Sequence, residues 1–107
     1  MHAIDLEPCV PGEIAADLDL IKRLQRKDLL AYRELIERYY SFVYMMALTL
    51  HRDETVADQY VLELFTHAWN HASGMTARGS LRSYFFKLIY AKYQRYVSML
   101  PTIKEMV

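Results

Sequence analysis

From Leu29 to Leu50 the chain runs without a glycine or a proline, and its apolar side chains recur at spacings of three and four. Leu35, Tyr39, Phe42, Met45 and Met46 then fall together along an α-helix, which the pattern makes the central and most buried one. The whole chain offers only three Gly and three Pro in 107 residues, little material for short strands joined by tight turns. The expected fold is all-α, a compact bundle of about four helices with this segment at its centre.

The remaining helices are marked by their caps. A short first helix is expected after Asp17 or Asp19 as N-cap, with Leu20, Ile21 and Leu24 on its inner side. Asp28 can cap the central helix. "HRDE" ends it, and Asp53 can cap a third helix running to about His71. There Val56, Tyr60, Leu64 and Ala68 form one stripe, with Val61, Leu62, Phe65 and Trp69 beside it. Ser73, Gly74 and Gly79 bound a loop before a fourth helix, capped by Ser80 and ending before Pro101. Residues 1–16, with Pro8, Pro11 and Gly12, read as a flexible leader. Residues 17–100 form one helical domain and 101–107 a tail or the start of a linker.

Charge divides the chain. Residues 1–63 hold twelve acids against seven bases, net −5; residues 64–107 hold six bases against Glu105, net +5. The second half therefore favours a polyanionic partner such as nucleic acid. From Arg78 to Val97 six aromatic rings stand among five basic side chains, with no carboxylate. At helical spacing Leu81, Phe85, Leu88, Ile89 and Tyr96 make one stripe, sufficient for a core. Phe86, Tyr90, Tyr93 and Val97 make a second, beside Ser83, Lys87 and Gln94. Its rings either join the core or stand out as platforms on which unpaired bases stack, at ~1–3 kcal/mol each. In the second case Arg82, Lys87, Lys92 and Arg95 hold phosphates, and a carboxylate among them would repel the strand. The Lys92 stem lies within the core arc, its ammonium reaching outward.

The single Cys9 excludes an intramolecular disulfide and suits a reducing cytoplasm. The acidic N-terminus does not fit a signal peptide, and no apolar run approaches the ~18 residues of a membrane span. Glu63, His67 and His71 lie four apart on one helical edge, but three converging ligands need more than that spacing, and exposed polar residues describe them better. No phosphate loop, activated nucleophile or isolated carboxylate pair is present, so no enzyme, metal or cofactor is expected.

"LIKRLQRKDLLAYRELIERYYSFVYMMALTL", "ADQYVLELFTHAW" and "GSLRSYFFKLIYAKYQRYV", in this order and at these separations, resemble region 2 of bacterial sigma factors of the extracytoplasmic-function group. The resemblance spans about Leu20 to Val97. It implies a domain that binds the beta-prime clamp helices of core RNA polymerase through the third helix, at Asp58, Gln59, Leu62, Glu63 and Thr66. It also implies melting and reading of the minus-ten non-template strand by the loop and fourth helix. That places Met75, Thr76, Ala77, Arg78 and Ser80 at a base pocket, with Arg82, Ser83, Lys87, Tyr90, Lys92, Gln94 and Arg95 along the strand. An anti-sigma protein is a further implied partner. Gln59 and Leu62 stand where the family usually has Asp and Gln; Tyr84, Ala91 and Arg95 replace a frequent Trp, Asn and Asp. Two other readings stay open: a sigma-like module that binds a protein partner without DNA, and an unrelated bundle that dimerises through surplus Tyr and Met surface.

Overall fold

The computed structural model describes residues 11–75 and 80–99, with side chains from residue 15 onward. Four α-helices follow one another: α1 (Pro11–Gln25), α2 (Leu29–His51), α3 (Glu54–Asn70) and α4 (Leu81–Ser98), with a 3-10 turn at Ala72–Gly74. No strand occurs among the described residues, and none of their helices is long and apolar enough to cross a membrane.

Local chemistry sets the boundaries. The Asp28 carboxylate accepts from the Leu30 amide at 2.9 Å, and Asp53 accepts from Thr55 at 2.8 Å and Val56 at 3.3 Å. The Ser80 hydroxyl accepts from the Ser83 amide at 3.1 Å. Each such cap contributes about 1 kcal/mol by satisfying an amide that has no partner inside its helix. At the end of α1, Lys27 takes a left-handed conformation (φ 61°), while the Lys27 amide donates to Leu24 and the Asp28 amide to Arg23. This paired closure ends the helix, although glycine is its usual residue. Arg52 ends α2 in the same region (φ 54°).

The helix α1 begins at Pro11, earlier than the expected cap at Asp17 or Asp19. Proline suits a first helical turn, where no amide is needed. Residues 11–16 of the expected leader are thus helical, and residues 1–10 lie outside the described ones. Asp17 is fully buried inside the bundle.

The core is built on α2. Ala31, Leu35, Tyr39, Val43 and Ala47, every fourth residue, are all buried. Around this line pack Leu20, Ile21 and Leu24 of α1, Ala57, Tyr60, Leu64, Phe65 and Ala68 of α3, and Leu81, Phe85 and Ile89 of α4. Ring contacts give the directions. Tyr39 meets Phe85 and His51 meets Tyr96, so α4 runs alongside α2 in the same sense. Tyr32 meets Trp69, near the start of α2 and the end of α3, so these two form an antiparallel hairpin.

Three expected core positions lie elsewhere. Met45 is 54% exposed because the buried line advances by fours through Val43 and Ala47 and leaves it on the far side. Leu62 is 69% exposed on the outward face of α3. Tyr96 is 45% exposed, because α2 ends at His51 and offers the last turns of α4 only that one ring to pack on.

Candidate nucleic-acid interface

The start of α4 is fixed from a distance. The Leu81 amide donates to Asp17 Oδ2 at 3.0 Å, across 64 positions of sequence. The Tyr39 hydroxyl donates to the same carboxylate, 2.7 Å from Oδ1 and 2.9 Å from Oδ2, and Arg38 Nη1 lies 3.7 Å from Oδ1. A buried carboxylate is costly unless hydrogen-bonded, and here a phenol, an orphan helix amide and a cation surround it. Gln25 Nε2 donates to the carbonyls of Ala72 (3.1 Å) and Met75 (3.2 Å), tying the turn after α3 to α1. Both ends of the loop leading into α4 are thereby anchored.

Of the residues expected at the base pocket, Met75 is half-buried against the core and Ser80 is buried as the α4 cap. Thr76, Ala77, Arg78 and Gly79 lie outside the described residues.

Helix α4 has two unlike sides. At 100° per residue, Phe86, Tyr90 and Val97 share a sector of about 40°, centred about 120° round the helix from the buried Leu81, Phe85 and Ile89. Phe86 is 48% exposed and Tyr90 is 53% exposed, their rings nearly parallel (5°) with centroids 6.4 Å apart. Tyr90, Tyr93, Gln94, Val97 and Ser98 line a shallow groove of about 350 Å³. Lys87 and Gln94 are exposed and Ser83 is half-buried, all three in the adjoining sector of the helix. Tyr93 is half-buried, meeting the His51 ring edge-on at 5.3 Å. The helix carries no acidic residue.

The four cations expected along the strand do not share one side. Arg82 is half-buried toward α2, its guanidinium 5.1 Å from the centre of the Phe42 ring. Lys92 turns to α3, where its ammonium pairs with Glu63 and lies 5.1 Å from the centre of the Tyr60 ring. Arg95 also faces α3. Only Lys87 stands exposed beside the Phe86–Tyr90 rings; the lateral packing of α4 between α2 and α3 draws the others away.

On α3 the expected protein-contact residues do converge. Asp58, Gln59, Glu63 and Thr66 are exposed around Leu62. Gln59 also helps line a recess of about 230 Å³ with His51, Val56, Tyr60, Lys92, Arg95, Tyr96 and Met99. The two sets of expected contacts thus meet at one edge, joined by the Lys92–Glu63 pair.

Sequence reasoning missed His51 and Tyr60. His51 Nε2 lies 2.6 Å from the Tyr60 hydroxyl. Burial pushes the Tyr60 phenol up to about 12, with Glu63 adding to it, so it stays protonated at neutral pH. Burial lowers the His51 pKa, and Lys92 lowers it further. A neutral imidazole accepting the phenol proton at Nε2 and carrying its own on Nδ1 satisfies both groups. The signal was the Tyr60 position at the centre of a stripe, where a buried hydroxyl needs a partner.

Glu63, His67 and His71 do not converge on a point. Glu63 is paired with Lys92; the two imidazoles stack at 4.1 Å, with His67 Nδ1 on the Tyr84 hydroxyl (3.0 Å) and His71 Nδ1 on the His67 carbonyl (3.1 Å). Among the described residues no group of three or more His, Cys, Asp or Glu side chains could hold a metal ion.

No family model, curated protein or solved structure matches the chain. The likeness to sigma region 2 therefore rests on its own residues.

Proposed function

We propose that this chain is a sigma region 2-like domain that contacts the polymerase clamp helices through the outward face of α3 and holds the unpaired minus-ten non-template strand on α4. The observation that carries this reading is the exposed, parallel Phe86–Tyr90 pair beside Lys87 on an acid-free helix. Two half-exposed rings outside the buried stripe of Leu81, Phe85 and Ile89 present faces on which bases stack. Promoter opening is a binding problem: capture of an extruded base offsets the few kcal/mol needed to unpair it. No covalent step is required of the protein, and no enzyme activity is proposed.

The test is titration of a labelled minus-ten single strand at several salt concentrations. Each phosphate contact contributes about −0.7 to the log–log slope, so Lys87, the one cation of the four beside the rings, gives about −0.7, and four engaged cations about −2.8. The lower figure is expected, since Lys92 is paired with Glu63, Arg82 is packed on Phe42 and Arg95 faces α3. A slope near zero overturns the strand reading.

A second reading is favoured by Leu62, the exposed apolar centre of the α3 face. In it the domain binds a protein, either the clamp helices or an anti-sigma partner, and leaves DNA alone. Capture by clamp helices with no strand binding would select it. Self-association in sedimentation, with neither partner bound, would select the dimerising bundle instead.

A further inference from the structure

The recess between the end of α2, the start of α3 and the end of α4 is bordered by Gln59, Lys92 and Arg95 from the two expected contact sets, but neither reading places a ligand inside it. Its volume of about 230 Å³ lies below the ~300 Å³ typical of pockets for drug-sized ligands, so it fits one ring with one polar group. Its walls include Val56, Tyr96 and Met99, apolar or aromatic surface that suits a planar ring. Its polar groups are Gln59, His51, Lys92 and Arg95. Lys92 is balanced by Glu63. Among the described residues Arg95 forms no ion pair, and it is exposed at the rim. One uncompensated guanidinium favours a monoanion over a phosphate dianion, and its planar fork matches a carboxylate.

We propose that this recess binds a small aryl carboxylate, its ring between Tyr96 and Met99 and its carboxylate on Arg95, with the Gln59 amide as a second donor. Lys92 stays on Glu63 and orients that wall. His51, held by the Tyr60 hydroxyl, closes the inner end.

The experiment is an amide-resolved NMR titration of the full chain with benzoate as probe, without DNA. Saturable shifts are expected at residues 51, 56, 59, 95, 96 and 99, with a dissociation constant on the order of 1 mM for so few atoms. Benzyl alcohol, which keeps the ring without the charge, should bind about tenfold more weakly, the value of one charge-assisted hydrogen bond. Arg95→Gln, a change at an exposed position, should weaken benzoate about tenfold and leave benzyl alcohol unchanged. Equal affinity for the two probes, no effect of Arg95→Gln, or shifts spread along α4 without saturation would each overturn the site. None of these outcomes depends on whether the chain binds a promoter strand.

Discussion

The first and last turns of α4 are written in the same alphabet of rings and bases, yet they become different materials. Around Leu81 and Phe85 three helices close in: α1 supplies the Asp17 carboxylate, α2 supplies Tyr39, and α3 supplies Phe65. Around Tyr93 and Tyr96, α2 has already ended, and a single imidazole is the platform for both rings. The lesson is that an aromatic stripe is core only for as long as its neighbours last. Beyond that point it becomes surface, and surface is where recognition happens.

Substitution of equivalent rings at the two ends tests this contrast most strongly. Phe85→Ala should cost roughly 3–5 kcal/mol in urea unfolding, as large buried aromatics do, whereas Tyr96→Ala should cost under about 1 kcal/mol. A similar loss at both sites would break the comparison. Next in size is the anchor itself. Asp17→Ala leaves the Leu81 amide and the Tyr39 hydroxyl without their acceptor, so a loss of about 2–3 kcal/mol is expected by the same measurement. Tyr39→Phe should cost about 1 kcal/mol.

The two ends also share a dependence on acid, through one histidine each. His67 touches Tyr84 at the first end and His51 touches Tyr96 at the other; burial lowers both pKa values, His71 adding to the effect on His67 and Lys92 to that on His51. Because the unfolded chain then takes up protons first, stability is complete above the ordinary histidine value of ~6.5 and falls as the pH drops through it toward the lowered folded values. His51→Gln and His67→Gln should each flatten that slope in urea midpoints measured between about pH 7 and pH 5. An unchanged slope in both variants would remove the histidines from the account. The smallest expected effect lies away from α4, at the left-handed Arg52: Arg52→Gly should raise stability by up to ~1 kcal/mol, read as an increased urea midpoint.

The helix count, three of the four expected caps and most of the buried face were legible because they depend on neighbours within a turn or two. Asp28, Asp53 and Ser80 cap the helices that follow them, as their spacing implies. Asp17 obeys another logic. Its partners lie 22 and 64 positions away, so nothing beside it in sequence distinguishes it from an ordinary cap. The two stripes of α4 were visible as stripes. Which basic residues would share a side with the rings was not, because Lys92 and Arg82 are oriented by Glu63 on α3 and Phe42 on α2. Leu62 stood ambiguous for a related reason: periodicity placed it next to a core stripe, and only the position of α2 leaves it outside.

The stitch between Asp17 and Leu81 has a consequence for the order of events during synthesis. When α1, α2 and α3 have left the ribosome, the carboxylate and the Tyr39 hydroxyl are both present, but the amide that completes their site has not yet emerged. Until it arrives, a charge that is only partly satisfied is better off in water than inside, and the nascent N-terminal helix stays loosely docked. Docking of the first helix and docking of the last are thereby coupled through one carboxylate.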